Sequence, residues 1–156
     1  MNASDTDLHM SAQPPRPATV TSAATPGQRL SVLWIGIDPH RFPGPWDADE
    51  LAATLSAGAG RFPPGVLETW LFGPDDDLEE LLATKLAEVD WTCVVVGRGL
   101  RVGAVPLPVF EQIVNAVRQH APGAAIAFND TLTDALEAAA RWVPALAQSS
   151  ERTTAP

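Results

Sequence analysis

This chain has one lysine, one cysteine and no tyrosine, and each scarcity excludes something. A single thiol, Cys93, allows neither an internal disulfide nor a cysteine-based metal cage. It fits a reducing compartment. Positive charge is scarce too: Lys85 and nine arginines face nineteen carboxylates, for a net charge of -9. A field of that sign repels phosphate backbones and anionic lipid, so neither nucleic acid nor membrane is an expected partner. No run is apolar enough for long enough to span a bilayer. The first residues, Met1 to Asp7, carry acid where a secretory signal carries base, and no hydrophobic region follows. A cytoplasmic location is therefore expected.

Catalytic signatures are missing as well. The chain contains no G-x-x-x-x-G-K-[ST] and no G-x-S-x-G, which argues against a P-loop NTPase and a common serine hydrolase. His40 and His120 have no partner at metal-ligand spacing, so no metal site is expected. Gly97 to Val102 imitates a dinucleotide-binding G-x-G-x-x-G but lacks the last glycine. Pro106 and Pro108 also delay the helix that such a motif must open.

Apolar residues make up 46% of the chain, enough for one domain with a core. Residues 1–28, rich in Ala, Ser, Thr and Pro and including Gln13 to Pro17, read as a disordered tail, and so do residues 147–156. The span 29–146 reads as one domain. The bias toward Ala, Pro, Gly and Arg suggests a GC-rich bacterial genome.

Four strand–helix units fill that domain. Leu30 to Ile37, Val66 to Phe72, Thr92 to Val96 and Ala124 to Phe128 are the strands. The first and third have no polar alternation, the mark of strands buried on both faces of a parallel sheet. Asp47 with Glu50 forms a capping box for a helix ending near Gly58 or Gly60. Asp75, Asp76 and Asp77 sit at the next helix start, where the dipole favours negative charge. Leu78, Leu81, Leu82, Leu86 and Val89 are expected on its inner face. After a loop from Gly97 to Pro108 comes a helix with Phe110, Ile113, Val114 and Val117 inward, stopped by Pro122 and Gly123. Asn129, Asp130 or Thr131 caps a last helix with Leu132, Leu136, Ala139, Ala140 and Val143 as its apolar face.

Strands and helices alternating at this spacing imply right-handed crossovers. The expected fold is α/β: a small three-layer α/β/α sandwich on a four-stranded parallel sheet in the flavodoxin-like order 2-1-3-4. Ligands in such sheets bind at the carboxyl edge, where the strand order reverses. The loops meeting there hold Asp38, His40 and Arg41 after the first strand and Gly97, Arg98, Gly99 and Arg101 after the third, with Asn129 next in line. Arginine forks suit carboxylate or phosphate, and glycine-turn amides add to an anion cradle. The competing reading makes Asp38 a turn former before Pro39 and the arginines ordinary ion pairs with Asp38, Asp130 or Glu111. Phe42 to Trp46, a stiff loop of two aromatics and two prolines, is either a pocket wall or a cover over the core edge.

The motifs Gly36-Ile37-Asp38-Pro39, Val95-Val96-Gly97-x-Gly99-Leu100-Arg101, Phe110-Glu111-x-x-Val114-Asn115 and Ala127-Phe128-Asn129 resemble a group of small bacterial α/β proteins, flavodoxin-like or Rossmann-like, over about residues 30–143. The resemblance implies the fold and brings no established activity. The architecture is also similar to response-regulator receiver domains. Those need an acidic pair after the first strand, an aspartate at the end of the third and a later lysine. Here there is only Asp38, Gly97 stands at the third position, and Lys85 lies in a helix, so phosphoacceptor chemistry is not implied.

Three functions follow as expectations. The first is a regulatory domain binding a small anion through Gly97, Arg98, Gly99 and Arg101, oriented by Asp38 and Asn129. The second is a small hydrolase or transferase with Asp38 or His40 as general base and Arg98 and Arg101 stabilising negative charge. The third is a structural module, a homodimer joined through an edge strand or through alanine-rich helix faces and Trp142.

Overall fold

The computed structural model describes residues 29–153. Strand β1 (Val32–Ile37) pairs in parallel with β2 (Leu67–Phe72) on one side and β3 (Cys93–Val96) on the other. Strand β4 (Ala125–Phe128) pairs with β3, so the order is the expected 2-1-3-4. Val32 stands opposite Cys93 and Ile35 opposite Val96. Apolar side chains therefore stack in rows across both faces of the two central strands.

The period of two sorts those side chains between two cores. Leu33, Ile35, Ile37, Val94 and Val96 point to one face, where they meet Leu82 and Leu86 of α2 (Leu78–Ala87) and Ile113 and Val117 of α4 (Leu107–His120). Val32, Trp34, Cys93, Val95 and Ala127 point to the other, against α5 (Ala135–Ala140) and α6 (Pro144–Thr153). Leu55 of α1 (Ala48–Ala59) packs on this second cluster. Helices thus cover both faces in three layers, and those following β1 and β3 lie on opposite sides. Burying each of these Val, Leu or Ile side chains contributes about 1.5–3 kcal/mol.

Local signals act as the sequence predicts at two helix starts. Asp47 accepts from the Glu50 N–H at 2.9 Å to open α1, and Asp77 accepts from the Glu80 N–H to open α2. Elsewhere the structure corrects the reading. On α2 the buried stripe is Leu78, Leu82 and Leu86, while Leu81 and Val89 are 40% and 46% exposed. A spacing of four keeps one narrow row on the sheet, and Leu81 falls beside it. The span expected as loop from Gly97 holds a single helical turn, α3 (Arg98–Arg101), and Pro108 sits inside the first turn of α4, where its missing N–H costs nothing.

The last expected helix is two. Asp134, not Asn129, Asp130 or Thr131, precedes α5, and its carboxylate accepts from the Asp130 and Thr131 N–H groups. The chain is helical again through Thr153, so the tail expected from residue 147 is helix as far as that residue. The tail expected over residues 1–28 lies outside the described residues. In the alanine-rich stretch considered for a dimer contact, Ala135, Ala138 and Ala139 are buried in the chain's own core, while Trp142 is half exposed. No helix among the described residues is long and apolar enough to cross a membrane.

Candidate functional site

Helix α1 does not lie flat on the sheet. Its one buried residue is Gly58, where an added β-carbon would come 2.9 Å from the Leu132 carbonyl oxygen. Arg61, just beyond the helix, holds this end by donating to the Thr133 carbonyl and the Glu137 carboxylate. Toward its start, Leu51 and Leu55 are only half-buried. They face a cleft of about 530 Å3 between helix and sheet. That volume suits a small molecule.

The sheet supplies the cleft floor: Trp34 and Gly36 from β1, and Thr69 and Leu71 from β2. Gly36 matters as a close approach, because a β-carbon there would meet Leu71 at 3.1 Å. Gly97, Arg98 and Gly99 form the next wall, and Asn129 and Leu132 close it beyond β4. The cleft thus opens at the carboxyl edge, beside the switch between β1 and β3.

The Phe42 to Trp46 loop satisfies both of its expected roles. Phe42 turns inward and packs edge-on against Phe72, with ring centroids 5.6 Å apart. Pro43, Gly44, Pro45 and Trp46 form the outer wall of the cleft. The Trp46 indole N–H donates to the Pro39 carbonyl at 3.2 Å, and its ring lies over Gly44 closely enough to leave no room for a side chain there.

Only part of the predicted constellation converges. Gly97, Arg98, Gly99 and Asn129 line the cleft; Asp38, His40, Arg41 and Arg101 do not. Asp38 builds its own turn: its carboxylate accepts from the His40 N–H at 2.9 Å, and its carbonyl accepts from the Arg41 and Phe42 N–H groups. The His40 ring donates to Asp49 at 2.8 Å, which raises its pKa above the ordinary histidine value against a smaller opposing effect of desolvation. Arg41 is engaged by Asp76 through two hydrogen bonds. Arg101 turns away to donate to the Asn129 carbonyl at 2.9 Å, with Asp130 at 3.8 Å. Asp38 is thus a turn former, and Arg101 is engaged at the turn after β4.

Gly97 also differs in role from the expectation. Its N–H is committed to the Ile35 carbonyl at 2.8 Å and is not free for an anion. Its φ is -60°, so it is glycine for space. A β-carbon would stand 2.9 Å from the Ile35 oxygen and 3.6 Å from the Trp34 indole nitrogen.

Four polar side chains remain on the cleft lining: Thr69, exposed on the floor, and Arg98, Trp34 and Asn129. Arg98 is exposed, and its guanidinium makes no hydrogen bond or ion pair with the described residues. The Trp34 indole N–H has no acceptor among them either. Asn129, 1% exposed, donates through its amide nitrogen to the Thr131 carbonyl at 2.9 Å, while its Oδ1 is buried with no partner. The Thr131 carbonyl fixes which end of the amide is which, since an oxygen turned toward it would meet another acceptor.

Cys93 lies in the core beneath, and burial pushes its thiol up to about 12, so it is no thiolate at neutral pH. Among the described residues no three His, Cys, Asp or Glu side chains are grouped to hold a metal ion. Sequence reasoning missed Trp34, Leu51, Leu55, Thr69 and Leu71 as lining residues. The available signal was Gly36 inside an otherwise apolar strand, since glycine there marks a close approach. Comparison with family models, with curated proteins and with solved structures finds no match to this chain.

Proposed function

We propose that this domain binds a small amphipathic anion in the cleft beneath α1 and serves a regulatory rather than a catalytic role. The apolar body lies between Leu51 and Leu55 of the helix and Trp34 and Leu71 of the sheet, and the anionic group meets Arg98. The observation that carries this reading is an arginine whose guanidinium has no partner among the described residues, at the edge of an apolar cleft in a chain with almost twice as many carboxylates as cations. A guanidinium fork in that position matches carboxylate or phosphate. Asp38 and His40, the residues able to serve as a base, stand off the cleft wall, which favours binding over turnover.

The test is a thermal-shift screen of phosphates, sugar phosphates and carboxylic acids on the wild-type protein and on Arg98→Ala and Arg101→Ala. Stabilisation that grows with ligand concentration reports binding. The expected hit is an acid with an apolar body, lost in Arg98→Ala and retained in Arg101→Ala. A hit indifferent to Arg98 refutes the assignment of the anion, and no hit at all refutes the ligand.

A further inference from the structure

A buried acceptor without a donor is costly, because it has surrendered water and received nothing. Asn129 Oδ1 is such an atom, and it belongs to a residue of the cleft wall. No donor among the described residues reaches it. The Asn129 backbone carbonyl is taken by Arg101, and its amide nitrogen is spent on Thr131. Facing the same stretch of wall is the reverse case, the Trp34 indole N–H, a donor without an acceptor that reaches toward Gly97. Gly97 follows Val96, and Asn129 follows Phe128, the residue paired with Val96 across the sheet. The Trp34 N–H thus lies beside Gly97, and Asn129 stands at the neighbouring strand end, both on the cleft wall.

We infer that the inner end of the ligand is an uncharged group that both donates and accepts, of the amide or lactam kind. Its N–H meets Asn129 Oδ1 and its carbonyl meets the Trp34 N–H, while the anion faces outward to Arg98. This inference rests on the proposed anion-binding cleft and specifies its ligand. An inward charge is disfavoured, since Oδ1 cannot pair with an anion and no carboxylate is on the wall to pair with a cation.

The experiment compares two acids of one size by calorimetry on the full chain: 2-oxo-1,2-dihydroquinoline-4-carboxylate, with a lactam edge opposite its carboxylate, and 1-naphthoate, with none. The lactam acid is expected to bind the wild-type protein at least about tenfold more tightly, the effect of leaving one buried hydrogen bond unmade. Its N-methyl derivative, which keeps the carbonyl and loses the donor, should bind more weakly than the lactam acid. In Asn129→Leu the preference for the lactam should vanish. Equal binding of the two acids to wild-type protein overturns the inference and leaves the anion cleft standing. Binding of neither overturns both.

Discussion

Arg41 and Asp76 are joined by two hydrogen bonds of 2.9 Å each, tying the loop after β1 to the loop after β2. The same carboxylate also accepts from the Gly73 N–H at 2.8 Å. The guanidinium first, and then the amide, hold the Asp76 carboxyl below the usual aspartate range. Its folded value lies under its unfolded one, so its contribution to stability is present above about pH 4 and is lost as pH falls through the folded value. The difference in urea midpoint between wild type and Asp76→Asn should be largest near neutrality and close in acid. A difference that stays constant down to about pH 2 would contradict the pairing.

His40 titrates in the opposite sense. Its hydrogen bond to Asp49, reinforced by the charges of Asp49 and Asp38, raises its pKa. Its contribution is therefore complete below about pH 6.5 and fades as pH rises through the raised folded value. An NMR titration should place the wild-type His40 midpoint above the ordinary value and return it toward that value in Asp49→Asn. An identical midpoint in both proteins would show that the contact is not formed in solution.

Two arginines on one helical turn should behave differently. Arg101 donates to the Asn129 carbonyl and anchors the turn after β4, so Arg101→Ala should cost about 1 kcal/mol. The Arg98 guanidinium has no partner among the described residues, so Arg98→Ala should leave stability within about 0.5 kcal/mol of wild type. Chemical denaturation of both variants decides it; the reverse ranking would place the structural arginine wrongly.

Crowding at Gly97 makes its replacement expensive. Gly97→Ala would drive a methyl group to 2.9 Å from the Ile35 oxygen, an overpacking expected to cost about 1–3 kcal/mol. Gly123→Ala meets nothing within 4 Å and should be neutral or stabilising by up to about 1 kcal/mol, because alanine restricts the unfolded chain. Similar midpoints for the two variants would count against the close approach of β1 to the Gly97 turn.

The phase of α2 can be tested with adjacent leucines. Leu82 is fully buried and Leu81 is 40% exposed. Leu82→Ala should cost about 2–5 kcal/mol, and Leu81→Ala under about 1 kcal/mol. Equal losses would restore the broad apolar face expected from the pattern alone.

The strands and their order were legible because Val32 to Ile37 and Cys93 to Val96 carry no polar residue, and such runs have few places to go in a small α/β chain. The helix starts at Asp47 and Asp77 were legible because capping is a local interaction between residues three apart. The site was legible in position and only partly in membership. Topology brings the loops after β1, β3 and β4 to one edge, but whether a side chain faces the cleft depends on competing partners nearby. Asp49 captures His40, Asp76 captures Arg41 and the Asn129 carbonyl captures Arg101. None of those pairings has a sequence period. The orphaned Asn129 oxygen was likewise invisible, because it depends on what its amide nitrogen and backbone already hold.

Helix α1 is thinly rooted: Gly58 is its one buried residue, and Leu51 and Leu55 are half-buried along the cleft, with Leu55 reaching the core cluster below. A segment with so little packed beneath it belongs to the low-stability end of a domain, where local opening needs less than global unfolding. An occupant of the cleft would then act as the core this helix lacks. Amide exchange along α1 would slow when the cleft fills, while the sheet would hardly change. Occupancy would be written into the order of a single exposed helix, a surface on which another molecule can read it.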